Sequence, residues 1–417
     1  MKRLIVLAAS LLVAATSCTE NTEPSAGTET KRPEAFAKIV SHLRRHADAI
    51  VLPGHEGSEI IVSPKLQGRI MTAHVGTVAS TGFVPEKTIE EGETHAHFNN
   101  FGGIDRFWIG PEAGQYGVYF PPGAEFNRDT WQVPASFDKG AFRVVSESQG
   151  QVSLEKSMEV TNYGGVKFQV NVQREIGTIP ASQISGEIGL TLPKGVAYVG
   201  CYSDNVLTNT EDRAWDAKSG LIGVWILSMF APSPKSAIIA PFNTGDASKL
   251  GPEMNDEYFG KVSKDTPDRI AIVDGKAVVY RGDSSHVGKF GLSQARTTGI
   301  AGAYDFTRDL LTVVKFTVPK EKALYGNSTW VKEQKAPYGG DAFQSYNNGD
   351  NEKPGTLAAD PFFEIESASP VKPLKKGESI RHRHAIFHFQ GKKADLAPLA
   401  EKVFGVSLDK ISAALKF

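Results

Sequence analysis

Cysteine is nearly missing from this chain: 417 residues contain two, Cys18 and Cys201. That count excludes a disulfide-stapled scaffold and any structural zinc site built on several thiolates. An excess of charge of one sign is missing as well. Lys plus Arg is 46 against 47 Asp plus Glu, a net charge of −1, so no long-range field gathers nucleic acid, and none is expected as a partner. No apolar run reaches the roughly 20 residues of a spanning helix, which removes multi-span helical membrane proteins. The phosphate-cradling GxxxxGK[ST], a GxGxxG after a strand, the GxSxG elbow, HExxH and CxxC are all absent, so nucleotide hydrolysis, Rossmann redox chemistry and structural zinc lack support.

What is present begins with an address. Residues 1–17 read MKRLIVLAASLLVAATS, with a basic start at Lys2 and Arg3, an apolar stretch from Leu4 to Val13, and small residues up to Ser17. This is the pattern of a secretory signal. Cys18 directly after the small residues resembles the lipobox of bacterial lipoproteins, with Ala15 where Leu is usual. The expectation is an exported protein that touches the membrane only through an acylated Cys18. Thr19 at the following position favours the outer membrane, with the periplasmic or surface face left open; an ordinary signal with an incidental Cys is the alternative. Residues 18–34, rich in Thr, Glu and Pro, have the composition of a flexible tether. Cys201, in AYVGCY, reads as a small buried apolar residue.

The rest, 35–417, reads as a single all-β sandwich domain. AFAKIVSHLRR places Phe36, Ile39, Val40 and Leu43 at helical spacing, giving an N-terminal helix over 35–48. A C-terminal helical segment over 395–417 carries Leu396, Leu399, Ala400, Val403 and Phe404 on one face. Between them lie short runs of period-two alternation bounded by Gly, Pro, Asn and Asp, such as VKFQVNVQREI, LLTVVKFTV and RHAIFHF. Fifteen or more strands, without a repeat or an internal linker, predict a large antiparallel sandwich.

One segment from His95, HAHFNNFGGIDRFWIGPEAGQYGVYFPPG, mixes Gly turns with Asp105, Arg106, Trp108, Glu112 and Gln115. Planar aromatic faces that cover C–H groups, beside carboxylates, amides and guanidinium groups that hydrogen-bond hydroxyls, are what a sugar site requires. The bland reading is a Gly-rich corner in which Asp105 pairs with Arg106 and Trp108 fills the core. GGDAFQSYNNGD, expected to be a loop, adds Asp341, Tyr346, Asn347 and Asn348 as hydroxyl-recognising groups, with turn chemistry as the alternative. Tyr304, Asp305 and Lys315 are further candidates, although Tyr304 and Asp305 could simply close a turn.

Seven ordered motifs then add up: IVSPKLQGRIMT (61–72), FGGIDRFWIGPEAGQ (101–115), MEVTNYGG (158–165), SGLIGVWILSMFAPSP (219–234), GAYDFTRDLLTVVKF (302–316), GGDAFQSYNNGD (339–350) and FFEIESASPVKPLKKGESIRHRHAIFHF (362–389). Together they resemble the DUF6786 family of bacterial lipoproteins and secreted proteins, which is similar to the galactose mutarotase-like β-supersandwich group. The resemblance implies a concave sheet that binds carbohydrate. It implies a late-strand Glu as general base, which maps onto Glu366, with Glu364 on the same strand face, and a His as acid, for which His95 and His97 are the candidates. Glu364 could instead only orient a basic neighbour. The HxH spacing of His95 and His97, repeated around His382, His384 and His388, could also ligate a metal, but no metal or cofactor is assigned.

Two functions from different classes follow: a carbohydrate-active enzyme of the epimerase, hydrolase or lyase type, or a non-catalytic glycan-binding lipoprotein. A purely structural module would show the His and Glu groups scattered and no pocket. The oligomeric state is not read from the sequence.

Overall fold

Eighteen strands among the described residues arrange into sheets of ten, five and three strands, and every ladder pairing within the sheets is antiparallel. The computed structural model describes residues 32–258, 260–350 and 352–417. The signal segment 1–17, Cys18 and nearly all of the 18–34 tether therefore lie outside the described residues. Residues 32–417 form one compact unit.

Period-two patterning builds the large sheet. In Lys167–Thr178, Phe168, Val170, Val172, Arg174 and Ile176 are buried while Lys167, Gln169, Gln173 and Glu175 are exposed, so one face meets the core and the other meets water. This strand sits in a ten-stranded sheet running from Ile270–Val273 at one edge to Arg143–Ser148 at the other. The five-stranded sheet packs over it, in the order Gly288–Ser293, Asp341–Asn347, Phe363–Ala368, Gly223–Phe230 and Arg106–Gly110. The main apolar core fills the space between them, each fully buried Val, Leu, Ile or Phe contributing roughly 1.5–3 kcal/mol. The expected loop at GGDAFQSYNNGD is thus corrected: Asp341–Asn347 is a strand, paired antiparallel with Phe363–Ala368 so that Asn347 lies opposite Phe363.

Helices seal the remaining apolar surfaces. Glu34–His46 buries Phe36, Val40 and Leu43, spaced to share one stripe, against Ile61, Leu66, Met71, Ile89 and Phe101 around the three-stranded sheet. Its start at Glu34 is one residue before the expected 35 and two past Arg32, which pairs with Glu59. Lys393–Phe404 and Leu408–Ala414 cover the outer face of the large sheet through Leu396, Leu399, Ala400, Phe404, Leu408 and Ile411. Cys201 is buried, free and pushed up by desolvation, as a small apolar residue would be placed. The outer face of the five-stranded sheet is covered by segments 92–100 and 112–138, which include the short helix Ala135–Asp138 with Phe137 on Trp108, and by the stretch around Trp330, and a cavity is left beneath them.

Candidate functional site

Antiparallel register decides which side chains meet on that outer face. Glu364 lies opposite Tyr346 on one neighbour and Met229 on the other, and Tyr346 lies opposite Lys289. One row along, Glu366 lies opposite Gln344 and Leu227, and Leu227 opposite Arg106. In the next row Trp225 lies opposite Trp108. Because successive residues of a strand point to opposite faces, Glu364 and Glu366 share this side while Phe363, Ile365 and Ser367 enter the sandwich.

These rows floor a cavity of about 350 Å³ lined also by Phe98, Glu112, Trp131, Trp330 and Phe362. Trp108 and Trp225 meet edge to face with centroids 5.6 Å apart, and Phe98 stands edge-on to both Trp108 and Trp131. The protein itself covers two of the indole faces: the Arg106 guanidinium carbon is 4.1 Å from the Trp108 centroid and the Lys289 nitrogen 4.8 Å from that of Trp225. The partly exposed rings of Phe98, Trp131, Trp330 and Tyr346 are left at the walls.

Charge in the cavity is arranged as linked pairs. Arg106 donates to Glu364. Lys289 donates to Glu366 at 3.1 Å and stands 3.8 Å from Glu112, and Trp225 Nε1 donates to the same Glu366 oxygen at 2.9 Å. Trp131 Nε1 donates to Glu112 at 3.1 Å. Burial raises the Glu364 carboxyl to about 7, with Arg106 opposing and Glu366 adding to the rise. Burial likewise raises Glu112, against the pull of Lys289. Burial works against the Lys289 ammonium, yet Glu366, Glu112 and Glu364 together outweigh it and hold its pKa above the ordinary lysine value. The site therefore offers one carboxyl, Glu364, raised to about 7, beside fixed cations and aromatic walls.

Of the residues singled out in the sequence, Arg106, Trp108, Glu112, Tyr346, Asn348 and Glu364 line this cavity. Glu366, fully buried on the same face, is covered by Lys289 and Trp225, from both of which it accepts, and does not itself line the cavity. The others are elsewhere. His95 and His97 are corrected: they sit in an exposed irregular segment rather than on a strand, so no alternation aims them at the cavity. Asp105 faces the sandwich interior, where it accepts from Arg174 and, at 2.7 Å, from Ser203; the expected pairing with Arg106 fails because adjacent residues point to opposite faces. Gln115 is tied to Gln334 outside the cavity. Tyr304 packs under the C-terminal helices with its hydroxyl on Asp309 at 2.9 Å, and Asp305 closes the following turn by accepting from the Thr307 and Arg308 amides. Lys315 reaches the Glu187 carbonyl on the far face of the large sheet. Asp341 is buried beside the site and accepts from Tyr258 at 2.5 Å and Asn255 at 2.8 Å. Asn347 fixes backbone at Ser284 and His286.

The second histidine group is inside the sandwich. Ser367 lies 2.7 Å from His382 and 2.8 Å from His384, Ser228 is 3.0 Å from His384, and Thr312 is 2.9 Å from His388. Burial pushes all three imidazoles down to about 3, so they are neutral. Among the described residues no group of three or more His, Cys, Asp or Glu is placed to hold a metal ion.

Sequence reasoning missed Lys289, Trp225, Trp131, Trp330 and Arg128. Lys289 carried a signal: it is the one charged residue in GKFGLS, a strand otherwise free of charge. Trp225 carried none, because every residue of Gly223–Phe230 is buried and an unbroken apolar run hides its two faces.

Fold and cavity define an antiparallel β-sandwich protein with a polar and aromatic cavity on its five-stranded sheet. The chain belongs to the DUF6786 family, a family of unknown function, whose model matches residues 34–415. Similar solved structures include a candidate aldose 1-epimerase of Escherichia coli K12 (12% identity, covering 82% of this chain and 99% of that one, TM-score 0.47) and a galactose mutarotase-like protein of Lactobacillus casei ATCC 334 (11%, 82% and 99%, 0.46). The 4-alpha-glucanotransferase of Thermococcus litoralis is another (8%, 86% and 41%, 0.36). A search of curated proteins returns no match. At these identities the chemistry is read from this chain's own residues.

Proposed function

We propose that this protein binds a sugar ring in the cavity over the five-stranded sheet and acts on it by general acid–base chemistry. The observation that carries the reading is the placement of Glu364 at the floor of an aromatic-walled cavity with a second carboxyl, Glu112, on its wall. Aromatic rings at the walls cover the C–H face of a pyranose, and the carboxyls, Asn100 and Asn348 are suited to its hydroxyls. Glu364, retaining a proton near neutrality, donates to a ring or glycosidic oxygen, and Glu112 takes a proton from a hydroxyl or water. Glu366 is a positioning residue here, since its carboxylate is engaged by Lys289 and Trp225. The acid role that the resemblance gave to histidine falls to a carboxyl, because no histidine lines the cavity among the described residues.

The test is NMR on the full-length protein with a panel of mono- and oligosaccharides, following anomeric exchange, new products and ligand line broadening. Conversion that falls by about 10²–10⁴ in Glu364→Gln supports the enzyme reading. Broadening without conversion, indifferent to that substitution, replaces it with a non-catalytic glycan-binding protein.

The proposal includes the location: export and attachment to the outer membrane through an acylated Cys18. Mass spectrometry of the N-terminal peptide checks it, the expected result being cleavage before Cys18 and a lipid-sized mass increment; an intact or unmodified N-terminus overturns it.

A further inference from the structure

Three cations border the main cavity: Arg106, Lys289 and Arg128. Two have a carboxyl partner, Arg106 in Glu364 and Lys289 in Glu366 with Glu112 close by. Arg128 is exposed and has no hydrogen-bond or ion-pair partner among the described residues. It is near enough to Tyr346 on the cavity wall for its charge to favour that phenol's ionised form, against a larger upward push from burial.

Arg128 and Lys289 also border a second, adjoining cavity of about 160 Å³, whose other walls are Gly260–Val262, Asp265, Thr266, Val287 and Gly288. The two cavities therefore share Arg128 and Lys289 in their linings, and the ground between these two side chains is their common border, or doorway. Lys261 adds a further cation to the side cavity, although its own ammonium reaches Glu257 at 2.5 Å. The carboxylate on that wall, Asp265, is turned to the Lys261 backbone amide at 2.8 Å. Asp360, the exposed acid of the main cavity, hydrogen-bonds Asn100 and does not border the side cavity.

Resting on the sugar reading above, we propose that the natural ligand carries an anionic group, a carboxylate or a sulfate or phosphate ester, next to the sugar ring held over Glu364, and that Arg128 receives it at the doorway to the side cavity. A guanidinium presents paired N–H donors that match the two oxygens of such a group, and an arginine without an internal partner need break no existing contact to do so. The ligand is then an acidic glycan unit: a neutral ring over the aromatic floor and a charged residue or substituent reaching past Lys289.

Titration calorimetry on the full-length protein tests this with a neutral hexose disaccharide, the same disaccharide with one hexose oxidised to its uronic acid, a sulfated disaccharide, and inorganic sulfate alone. The expected result is at least one acidic disaccharide bound about tenfold more tightly than the neutral one, with the advantage shrinking at high salt. Arg128→Gln brings the two affinities to within about twofold of each other, while Lys261→Gln keeps most of the difference. Equal affinities in the unmodified protein overturn the proposal and leave the sugar reading standing. So does a preference untouched by Arg128→Gln. Inorganic sulfate binding as well as the acidic disaccharides makes the doorway a free-anion site and also overturns it. If no saccharide binds at all, the sugar reading fails and this inference falls with it.

Discussion

Asp105 and Arg106 are neighbours in the chain, both buried, both charged and both ion-paired, yet they belong to different regions. Asp105 points into the sandwich, where Arg174, Ser203, Asn205 and the histidines behind them form a fully buried polar layer, none of which borders the cavity over Glu364. Arg106 points the other way, into a cavity of about 350 Å³, and its partner Glu364 borders that space. Burial of a charged pair is thus no sign of function by itself. On the inner face the pair satisfies groups that the strand pattern has committed to the core; on the outer face the same chemistry stands beside room for a ligand, where displacement of a partner becomes possible. A buried polar group is informative when there is space next to it.

That contrast can be broken most directly by Asp105→Asn. Removing one partner of the sealed pair leaves the Arg174 charge without its counter-ion in the core, and denaturant unfolding is expected to show a loss of about 3–5 kcal/mol. Glu364→Gln, at the edge of a cavity that water can enter, is expected to lose about 1 kcal/mol while abolishing turnover. Equal losses for the two would erase the distinction between the faces.

The pH dependence adds a check on both, because burial shifts the outer-face carboxyl Glu364 up and the inner-face imidazole His388 down. Glu364 is raised from 4.5 to about 7, so between those values the folded protein holds a proton that the unfolded chain has released, and its contribution to stability falls as pH rises through that window. His388 is lowered from 6.5 to about 3, so the unfolded chain takes up the proton first on acidification and the contribution of this imidazole grows as pH rises from 3 to 6.5. Unfolding free energies measured across pH should give a wild-type minus Glu364→Gln difference that slopes down from pH 5 to 7. The wild-type minus His388→Phe difference should slope up from pH 4 to 6. Slopes of the same sign would contradict the burial of one of the two groups.

The smallest expected effect belongs to His95 and His97. Both are exposed and outside the cavity, so alanine at either should shift stability by no more than about 0.5 kcal/mol and leave saccharide conversion unchanged. A large loss of conversion would restore the histidine acid and displace Glu364 from that role.

Much of the fold was legible because its causes are local. Period-two alternation in runs such as KFQVNVQREI and helical spacing in AFAKIVSHLRR each follow from one element's own geometry, and the all-β sandwich with a helix at each end emerged from them. The site was legible in part. Arg106, Trp108, Glu112, Tyr346, Asn348 and Glu364 were picked out by residue type, and they do meet. Tyr304, Asp305 and Lys315 were picked out on the same grounds and lie on other surfaces, since polarity in a sequence does not say which side of which sheet it will face.

Register across strands was the missing quantity. Nothing in GKFGLS alone sets Lys289 opposite Tyr346 and so within reach of Glu366, and nothing in GVWILSMF tells which of its two buried faces meets solvent-sized space. The sequence by itself determined the elements, their amphipathic faces and the near-neutral charge, because those depend on contacts within a few residues or on composition. Only the tertiary structure decided that Glu364 and Arg106, 258 residues apart, would share a cavity while Asp105 and His384 were sealed behind them, because long-range strand pairing sets which buried charges lie next to empty space.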